Sequence, residues 1–576
     1  MKGFRKKETD KKRRRAPLKA FVMKCLAVCL SFCFLLSGCA SLSPEKASAL
    51  HDHDEPLLDE LIKTSALLDY DEQLFDVLMW EGTAGNNTQA QDALRLCPPI
   101  LTRLVKGTEA DWADESLYEP IHWMMEHYYA TGALPREDYP VIGKYCTSMD
   151  APLLGVTAEC AYERTGDERF HQYMLDMVSY CVKSTEEGGF VLKLSDNEWW
   201  PLEYAWETVS ERDAAFVSNG SFFGMVAIEM LKNLTEDPRL IELSEKTLTA
   251  YKNRANQFYY PDGSWTFYSL NDVKEPGSRV INTPGKLLIE IRSLDSLYRL
   301  TNQKFYKEEC TKRIDIMNAL YPVYFLKTDD GGSEVLFLRA GAPHPMQIDI
   351  FPTVLDILDA SGNVLATSSC SDRSVNGAYM RFSVPENAAR YRWTAAGYFL
   401  TEAPLKQISE NELQLTELSG SWRGTGDGFV EKSSDLLRIR EDASKELKAW
   451  AYFKLSKNIS YSLESYLIIE LENESDVTFS SVTPRIYDSR GEVLWRYSSP
   501  CPPGKSYQIL HYTGFRDHKW PLGHAKGFSL GFVTVDMEPG AEALVKLKAV
   551  YLATSTAQVV DFLSQREFSG FWLEVS

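Results

Sequence analysis

From Leu57 to about Leu326 the apolar residues recur at helical spacing. Leu57, Leu58, Leu61, Ile62, Leu67 and Leu68 form one stripe, which Leu74, Phe75, Leu78 and Met79 continue. Further helical patterns cover roughly 88–107, 115–131, 151–163, 168–183, 214–234, 239–256, 280–300 and 303–320. After about Lys327 the period switches to two and turn residues become frequent. Strand-like runs at 334–339, 346–358, 363–368, 378–384 and 391–400 predict a small β-sandwich over 330–402. A polar, leucine-dotted linker follows, roughly 403–417. Residues 418–576 carry apolar runs such as Tyr466-Leu467-Ile468-Ile469 and Phe528-Ser529-Leu530-Gly531-Phe532, and read as a longer, jelly-roll-like sandwich.

The turns between helices repeat. Thr165-Gly166-Asp167-Glu168-Arg169-Phe170 parallels Thr301-Asn302-Gln303-Lys304-Phe305, and Thr235-Glu236-Asp237-Pro238-Arg239-Leu240 is a looser copy. In each, a helix ends, a polar turn follows, and an apolar residue after Arg or Lys restarts the stripe. Repetition at this scale predicts helical hairpins set around an axis, an α/α toroid over 57–326. The fold class expected is therefore multidomain α + β, a toroid followed by two β-sandwich domains. The two β regions also share a hairpin pattern: Ile357 to Leu365, around Asp359 and Gly362, matches Ile486 to Leu494, around Asp488 and Gly491. Asp-x-x-Gly between apolar runs is ordinary turn chemistry.

Charge and the N-terminus change the picture. A basic run (Lys11-Lys12-Arg13-Arg14-Arg15, Lys19, Lys24) precedes an apolar segment from Cys25 to Leu36, too short for a membrane span. It ends in Leu36-Ser37-Gly38-Cys39-Ala40-Ser41, which resembles the lipobox of bacterial lipoproteins. That resemblance implies a signal peptide over 1–38, lipidation at Cys39 and a tether over 39–56. The mature chain would then be lipid-anchored in the bacterial cell envelope, outside the cytoplasmic membrane. Residues 1–38 hold eleven of the 62 Lys and Arg and two of the 81 acids, so the remainder carries a formal charge of −28. Nucleic acid is disfavoured as a partner, since phosphate contacts need a basic face. Seven cysteines beyond Cys39 are scattered without a CxxC pair, so at most a few bridges are possible and no zinc site is suggested. His122 and His127 are five apart and do not share a helix face, and no phosphate loop, GxGxxG or GxSxG is present. Neither metal nor cofactor is expected.

The densest aromatic and acidic stretch runs from Trp199 to Arg292 and holds four of the thirteen Trp. Rings with carboxylates between them are what a sugar cleft needs, with apolar faces for stacking and acids for hydroxyls or ring hydrogens; composition alone allows equally that the rings fill the core between helices. Within it, Pro201-Leu202-Glu203-Tyr204, Val217-Ser218-Asn219-Gly220, Gly263-Ser264-Trp265-Thr266-Phe267-Tyr268 and Ile291-Arg292-Ser293-Leu294-Asp295-Ser296-Leu297-Tyr298-Arg299-Leu300-Thr301 occur in order. Residues 199 to about 321 thereby resemble the C-terminal domain of D-glucuronyl C5-epimerases, which act on uronic acids within heparan-type polysaccharides. Where that family carries a Tyr-His pair and a second His, this chain has Lys286, Leu287 and Glu290.

The resemblance implies abstraction of the C5 proton of a uronate, with a base on one ring face, an acid on the other and strong donors on the carboxylate. Glu203, Tyr204, Tyr268 and Lys286 are the candidate catalytic residues. Trp200, Trp206, Asn219, Trp265, Arg279 and Arg292 are the candidate substrate-binding residues, with Arg279 or Arg292 as carboxylate clamp. The expected partner is a polysaccharide or oligosaccharide. Two alternatives stay open: a polysaccharide lyase sharing the opening step, and a catalytically silent glycan-binding or assembly lipoprotein.

Overall fold

The computed structural model describes residues 92–565 apart from short internal stretches, the longest being 339–352, 371–378, 441–448 and 534–541. The signal sequence, Cys39, the tether and the stripe over 57–79 lie outside the described residues. The chain forms two compact units. The first takes the described residues up to Tyr259 together with Phe267–Ser278 and Leu288–Lys312; the second takes Tyr260–Thr266, Arg279–Leu287 and Arg313 onwards.

The helices of at least eight residues up to residue 320 are α1 (Ala93–Lys106), α2 (Glu119–Thr131), α3 (Asp150–Thr165), α4 (Glu168–Cys181), α5 (Ser218–Thr235), α6 (Pro238–Arg254), α7 (Pro284–Thr301) and α8 (Lys304–Leu320). Each matches a predicted helical segment, with ends shifted by a few residues. The repeated turns have one construction. At the end of α3, α5 and α7 a residue takes the left-handed conformation: Gly166 at φ 73°, Glu236 at 52° and Asn302 at 55°. Its N–H returns to the carbonyl four residues back, at 2.7 Å in all three turns. The threonine before it bonds the carbonyl of Ala161, Leu231 or Leu297, and accepts from the N–H of Asp167, Asp237 or Gln303. Asp167 and Asp237 then cap the next helix and pair with Arg169 and Arg239.

Of the three left-handed residues, only Glu236 is a side chain with no special tolerance for that conformation. Glu236→Gly should therefore raise stability by about 0.5–1 kcal/mol in a denaturant titration. A loss of stability there would contradict this account of the turn.

The first unit is not wholly helical, as the sequence pattern had suggested. Strands β1 (Val191–Ser195) and β2 (Glu198–Pro201) form an antiparallel hairpin, and β3 (Phe267–Ser269) lies further on, where Ser269 bridges to Val217. Runs of four and five residues are too short for their apolar spacing to be told from that of a helix.

In the second unit, β4 (Arg279–Ile281) pairs with Lys519–Trp520. Val323–Lys327, Ser333–Leu338 and Tyr379–Ser383 make a three-stranded antiparallel sheet. Tyr398–Pro404, Arg390–Ala395, Thr353–Leu358 and Val364–Cys370 make a four-stranded one. Its Asp359–Asn363 hairpin closes as the sequence predicts, with Gly362 at φ 88° and the Asp359 carboxylate accepting from Ser361 and Asn363. Two six-stranded antiparallel sheets follow. One, the Trp422 sheet, orders Gly420–Gly426, Ala449–Ser460, His524–Val533, Phe479–Asp488 and Val493–Trp495, with Ser499–Cys501 on Phe479–Asp488. The other orders Gly428–Glu431, Leu436–Arg440, Glu542–Ala553, Tyr466–Asn473 and Gly504–His511, with Thr416–Glu417 on Glu542–Ala553. A single buried cluster draws on both, with Trp422, Phe453 and Phe528 from one and Leu437, Ile469 and Val545 from the other. Burying each such side chain contributes roughly 1.5–3 kcal/mol, which holds these sheets together.

A buried site of glutamate and tyrosines

The loop from Leu202 to Val217 joins β2 to α5. Its first residues are held by backbone bonds: Leu202 donates to Phe190 and accepts from Ser148, and Ala205 exchanges both bonds with Cys146. Glu203 and Tyr204 sit between these anchors, so both side chains are placed by fixed backbone. The buried Glu203 carboxylate lies against the first turn of α5. A Cβ added to Gly220 would stand 1.9 Å from Glu203 Oε2, so only glycine leaves room for it. The N-terminus of an 18-residue helix is also a favourable place for an anion.

Two phenols flank this carboxylate. Tyr268, from β3, has its Oη 3.4 Å from Glu203 Oε1. Tyr204 hydrogen-bonds the same carboxylate, and the Glu203 charge, followed by burial, holds its pKa well above the usual phenol range. Tyr204 is therefore a neutral donor across the physiological range. Its ring packs beside Tyr139 and Tyr145, with centroids 5.3 and 5.5 Å away. Tyr145 in turn accepts from Arg136 Nη1 at 2.9 Å, while Arg136 Nε and Nη2 make two parallel 2.9 Å bonds to Asp150. Burial is the larger influence on Asp150 and raises its pKa, with Arg136 pulling the other way. The fork of two short bonds is that of an ionised pair.

Behind Tyr268, the Ser218 hydroxyl donates to the Tyr268 carbonyl at 2.9 Å and also meets the fully buried Glu290 carboxyl. Asn271 fixes the next loop, donating to Arg212 O and accepting from Gly277 N–H.

Of the residues expected from sequence, Glu203, Tyr204 and Tyr268 come together. Asn219 is half-buried beside them in sequence, its Oδ1 accepting from Gly220 N–H. Arg292 is buried in the α7 part of the same unit, and Trp206 is half-buried. Lys286 and Arg279, both partly exposed, belong to the second unit.

Two expectations are corrected. Trp200 is fully buried, stacked on Phe258 and edge-on to Phe216 and Tyr251, with its N–H bonded to Ser221. Trp265 is also fully buried, with its N–H on the Asn282 carbonyl. Neither ring has a face for a sugar; both are core. Conversely, sequence reasoning missed Tyr139, Tyr145, Arg136 and Asp150. The only signal was a tyrosine-rich loop with an Arg and an Asp before a helix. Among the described residues no group of three or more His, Cys, Asp or Glu is placed to hold a metal ion. No described helix is long and apolar enough to cross a membrane.

Four phenols, Tyr180, Tyr204, Tyr260 and Tyr306, have pKa values raised, by burial for three and first by Glu203 for Tyr204. The fold holds their protonated forms, so the stability they contribute is whole below about pH 10 and falls as pH rises above it. In a spectrophotometric titration followed in parallel by circular dichroism, these four should ionise only as structure is lost. Complete ionisation of all tyrosines in the folded protein would contradict the assignment.

Residues 145–315 match the family model described as D-glucuronyl C5-epimerase C-terminus. No curated protein matches the sequence. Solved structures that are similar include a possible member of the GH105 family from Salmonella enterica, at 10% identity and TM-score 0.32, over 54% of this chain and 72% of that one. An unsaturated glucuronyl hydrolase mutant from Streptococcus agalactiae matches at 12% identity and TM-score 0.29, over 53% and 79%. PfGH50B matches at 14% identity and TM-score 0.19, and only 28% of its own length is covered. At TM-scores this low, the likeness fixes neither the arrangement of the units nor an activity. The family match supports a carbohydrate-processing protein.

Proposed function

We propose that this protein acts on a uronic-acid-containing polysaccharide by removing the proton at C5 of a uronate. The observation that carries the reading is the Glu203 carboxylate held between the hydroxyls of Tyr204 and Tyr268. Glu203 takes the C5 proton, and the electron pair left behind spreads onto the uronate carboxylate as an enolate. Arg292, in the same unit, steadies that developing charge. Tyr204, kept neutral, is a hydrogen-bond donor to Glu203 and, in an elimination, the proton donor to the C4 leaving oxygen, not a tyrosinate base; Tyr268 positions Glu203. Returning one proton to the opposite face of the ring, supplied from solvent, gives the C5 epimer. Expelling the C4 substituent instead gives an unsaturated uronate, the lyase outcome.

In this reading the three helical hairpins belong to an α/α toroid and the later sheets to two β-sandwiches. Cys39 carries the lipid that anchors the protein in the cell envelope, outside the cytoplasmic membrane. Incubating the full-length protein with a panel of uronans and examining the products by NMR tests the proposal. A changed C5 configuration supports epimerisation, an unsaturated residue supports elimination, and unchanged polymer throughout contradicts both.

One observation favours a second reading, a glycan-binding lipoprotein without turnover. Glu290 stands where the resembled family carries a histidine, yet it is fully buried and engaged by Ser218. A group in that position supports the helix N-terminus and does not reach a sugar ring.

A further inference from the structure

The outer face of the Trp422 sheet carries a second array of rings and cations. Trp422, Phe453, Phe528, Leu530 and Phe532 point into the shared core. Strand alternation therefore puts Arg423, Trp450, Tyr452, Lys454, Arg485 and Tyr487 on the other face. Trp450, Tyr452, Arg485 and Tyr487 are half-buried, and Arg423 and Lys454 are exposed.

The central strand beneath them is kept small. Trp450 pairs with Gly531, and Lys454 and Tyr487 both pair with Gly527. A Cβ at Gly531 would come within 2.6 Å of the Trp450 ring, and one at Gly527 within 2.7 Å of the Tyr452 hydroxyl. These glycines let the two side chains lie down across the strand. Arg485 sits 3.9 Å over the Trp450 ring, and Tyr452 meets Tyr487 edge-on at 5.2 Å. Tyr487 Oη is 3.3 Å from Ser529 Oγ, which fixes its tip.

The charge on this sheet runs against that of the chain. The strands Gly420–Gly426, Ala449–Ser460, Phe479–Asp488 and His524–Val533 contain Arg423, Lys454, Lys457, Arg485 and Lys526 but one acid, Asp488, in a protein of net charge −19. Flat rings offer a stacking surface for the C–H faces of a sugar, and the cations around them match carboxylates. We infer that this face is a binding platform for an anionic, uronate-containing oligosaccharide. The strong negative charge of the rest of the chain opposes a nucleic acid, whose charge is denser. The inference stands on this face alone and does not need the reaction proposed above.

The test is affinity electrophoresis of the full-length protein in gels cast with polygalacturonate, alginate or heparosan, with hydroxyethylcellulose as the neutral polymer. At least one polyuronate should retard the protein while the neutral polymer does not. Trp450→Ala should weaken that interaction about tenfold or more, as truncating a stacking ring does. Arg423→Gln, at an exposed position that cannot threaten the fold, should weaken it less and reduce its sensitivity to salt. Glu203→Gln should leave the platform's share of the retardation in place, so that failure of the C5 chemistry and failure of the platform are told apart. The inference is overturned if no polyuronate retards the protein, or if Trp450→Ala and Arg423→Gln bind undiminished. Equal retardation by the neutral polymer, or an oligonucleotide bound more tightly through the same residues, overturns it as well.

Discussion

Asp150→Ala should cost about 3–5 kcal/mol of folding stability, the usual penalty for leaving one member of a buried ion pair alone. Asp150 is buried and Arg136 nearly so, with side chains 4% and 12% exposed, so water cannot replace the lost partner. The guanidinium would keep its bond to Tyr145 but lose two charge-assisted bonds. Asp92, whose carboxylate lies 4.0 Å from Arg136 Nη2, offers partial relief and sets the expectation at the lower end of the range. A double variant, Arg136→Met with Asp150→Leu, should be much closer to wild type, because it removes both charges together. Equilibrium denaturation of the three proteins measures the difference. If the single variant costs under about 1 kcal/mol, the pair is not the buried support described here. The functional consequence follows from Tyr145: once Arg136 is loosened, the rings beside Tyr204 lose their anchor, so activity should fall in whatever fraction remains folded.

Gly220→Ala has the second large effect, and here two influences of opposite sign compete. Within a helix alanine is favoured over glycine by about 1 kcal/mol. At this place, however, the new methyl would fall 1.9 Å from Glu203 Oε2, far inside contact distance, and the carboxylate must leave. The clash wins at the site, because the backbone on either side of Glu203 is held in place and only its carboxylate can turn away from the new methyl. The propensity gain partly offsets the strain in the global stability. The variant should therefore fold with stability within about 1–2 kcal/mol of wild type, a usual range for one substitution. It should nonetheless lose about 100-fold or more of any turnover, since a displacement near 1 Å at a reacting group has that cost. Unchanged turnover in a folded Gly220→Ala protein would remove Glu203 from the reaction.

The parts of the fold legible in the sequence are those with local causes. The turn at Thr165, with its left-handed Gly166 and capping Asp167, is written in five consecutive residues, and so is its copy at Thr235. The Asp359–Gly362 hairpin is equally local. Glu203 and Tyr204 stand out in the sequence because they adjoin in a motif that resembles the epimerase domain, and Tyr268 because it closes another; the structure brings the three side chains together. The aromatic stretch misled where burial decides the role: Trp200 and Trp265 look like their neighbours in sequence, and only the third dimension gives them Ser221 and Asn282 as partners. Tyr139, Tyr145 and Arg136 were invisible for the converse reason. The two tyrosines lie about sixty residues before Tyr204 and meet it where Cys146 and Ala205 are bonded backbone to backbone, and Arg136 reaches the cluster through Tyr145.

If Glu203 removes a proton from carbon, as proposed, isotope exchange reads that step without depending on what happens next. The full-length protein is incubated in heavy water with uronans of different composition, and deuterium at C5 is read by NMR and mass spectrometry. Epimerisation leaves the label in the polymer, and a reversible first step leaves it there even where no net product forms. The prediction is C5 deuterium in at least one uronan with wild-type protein, lowered about 1000-fold or more in Glu203→Gln, as expected for loss of a general base whose role no neighbour assumes. Deuterium entering equally fast with Glu203→Gln, or no exchange and no unsaturated product on any uronan, would contradict it.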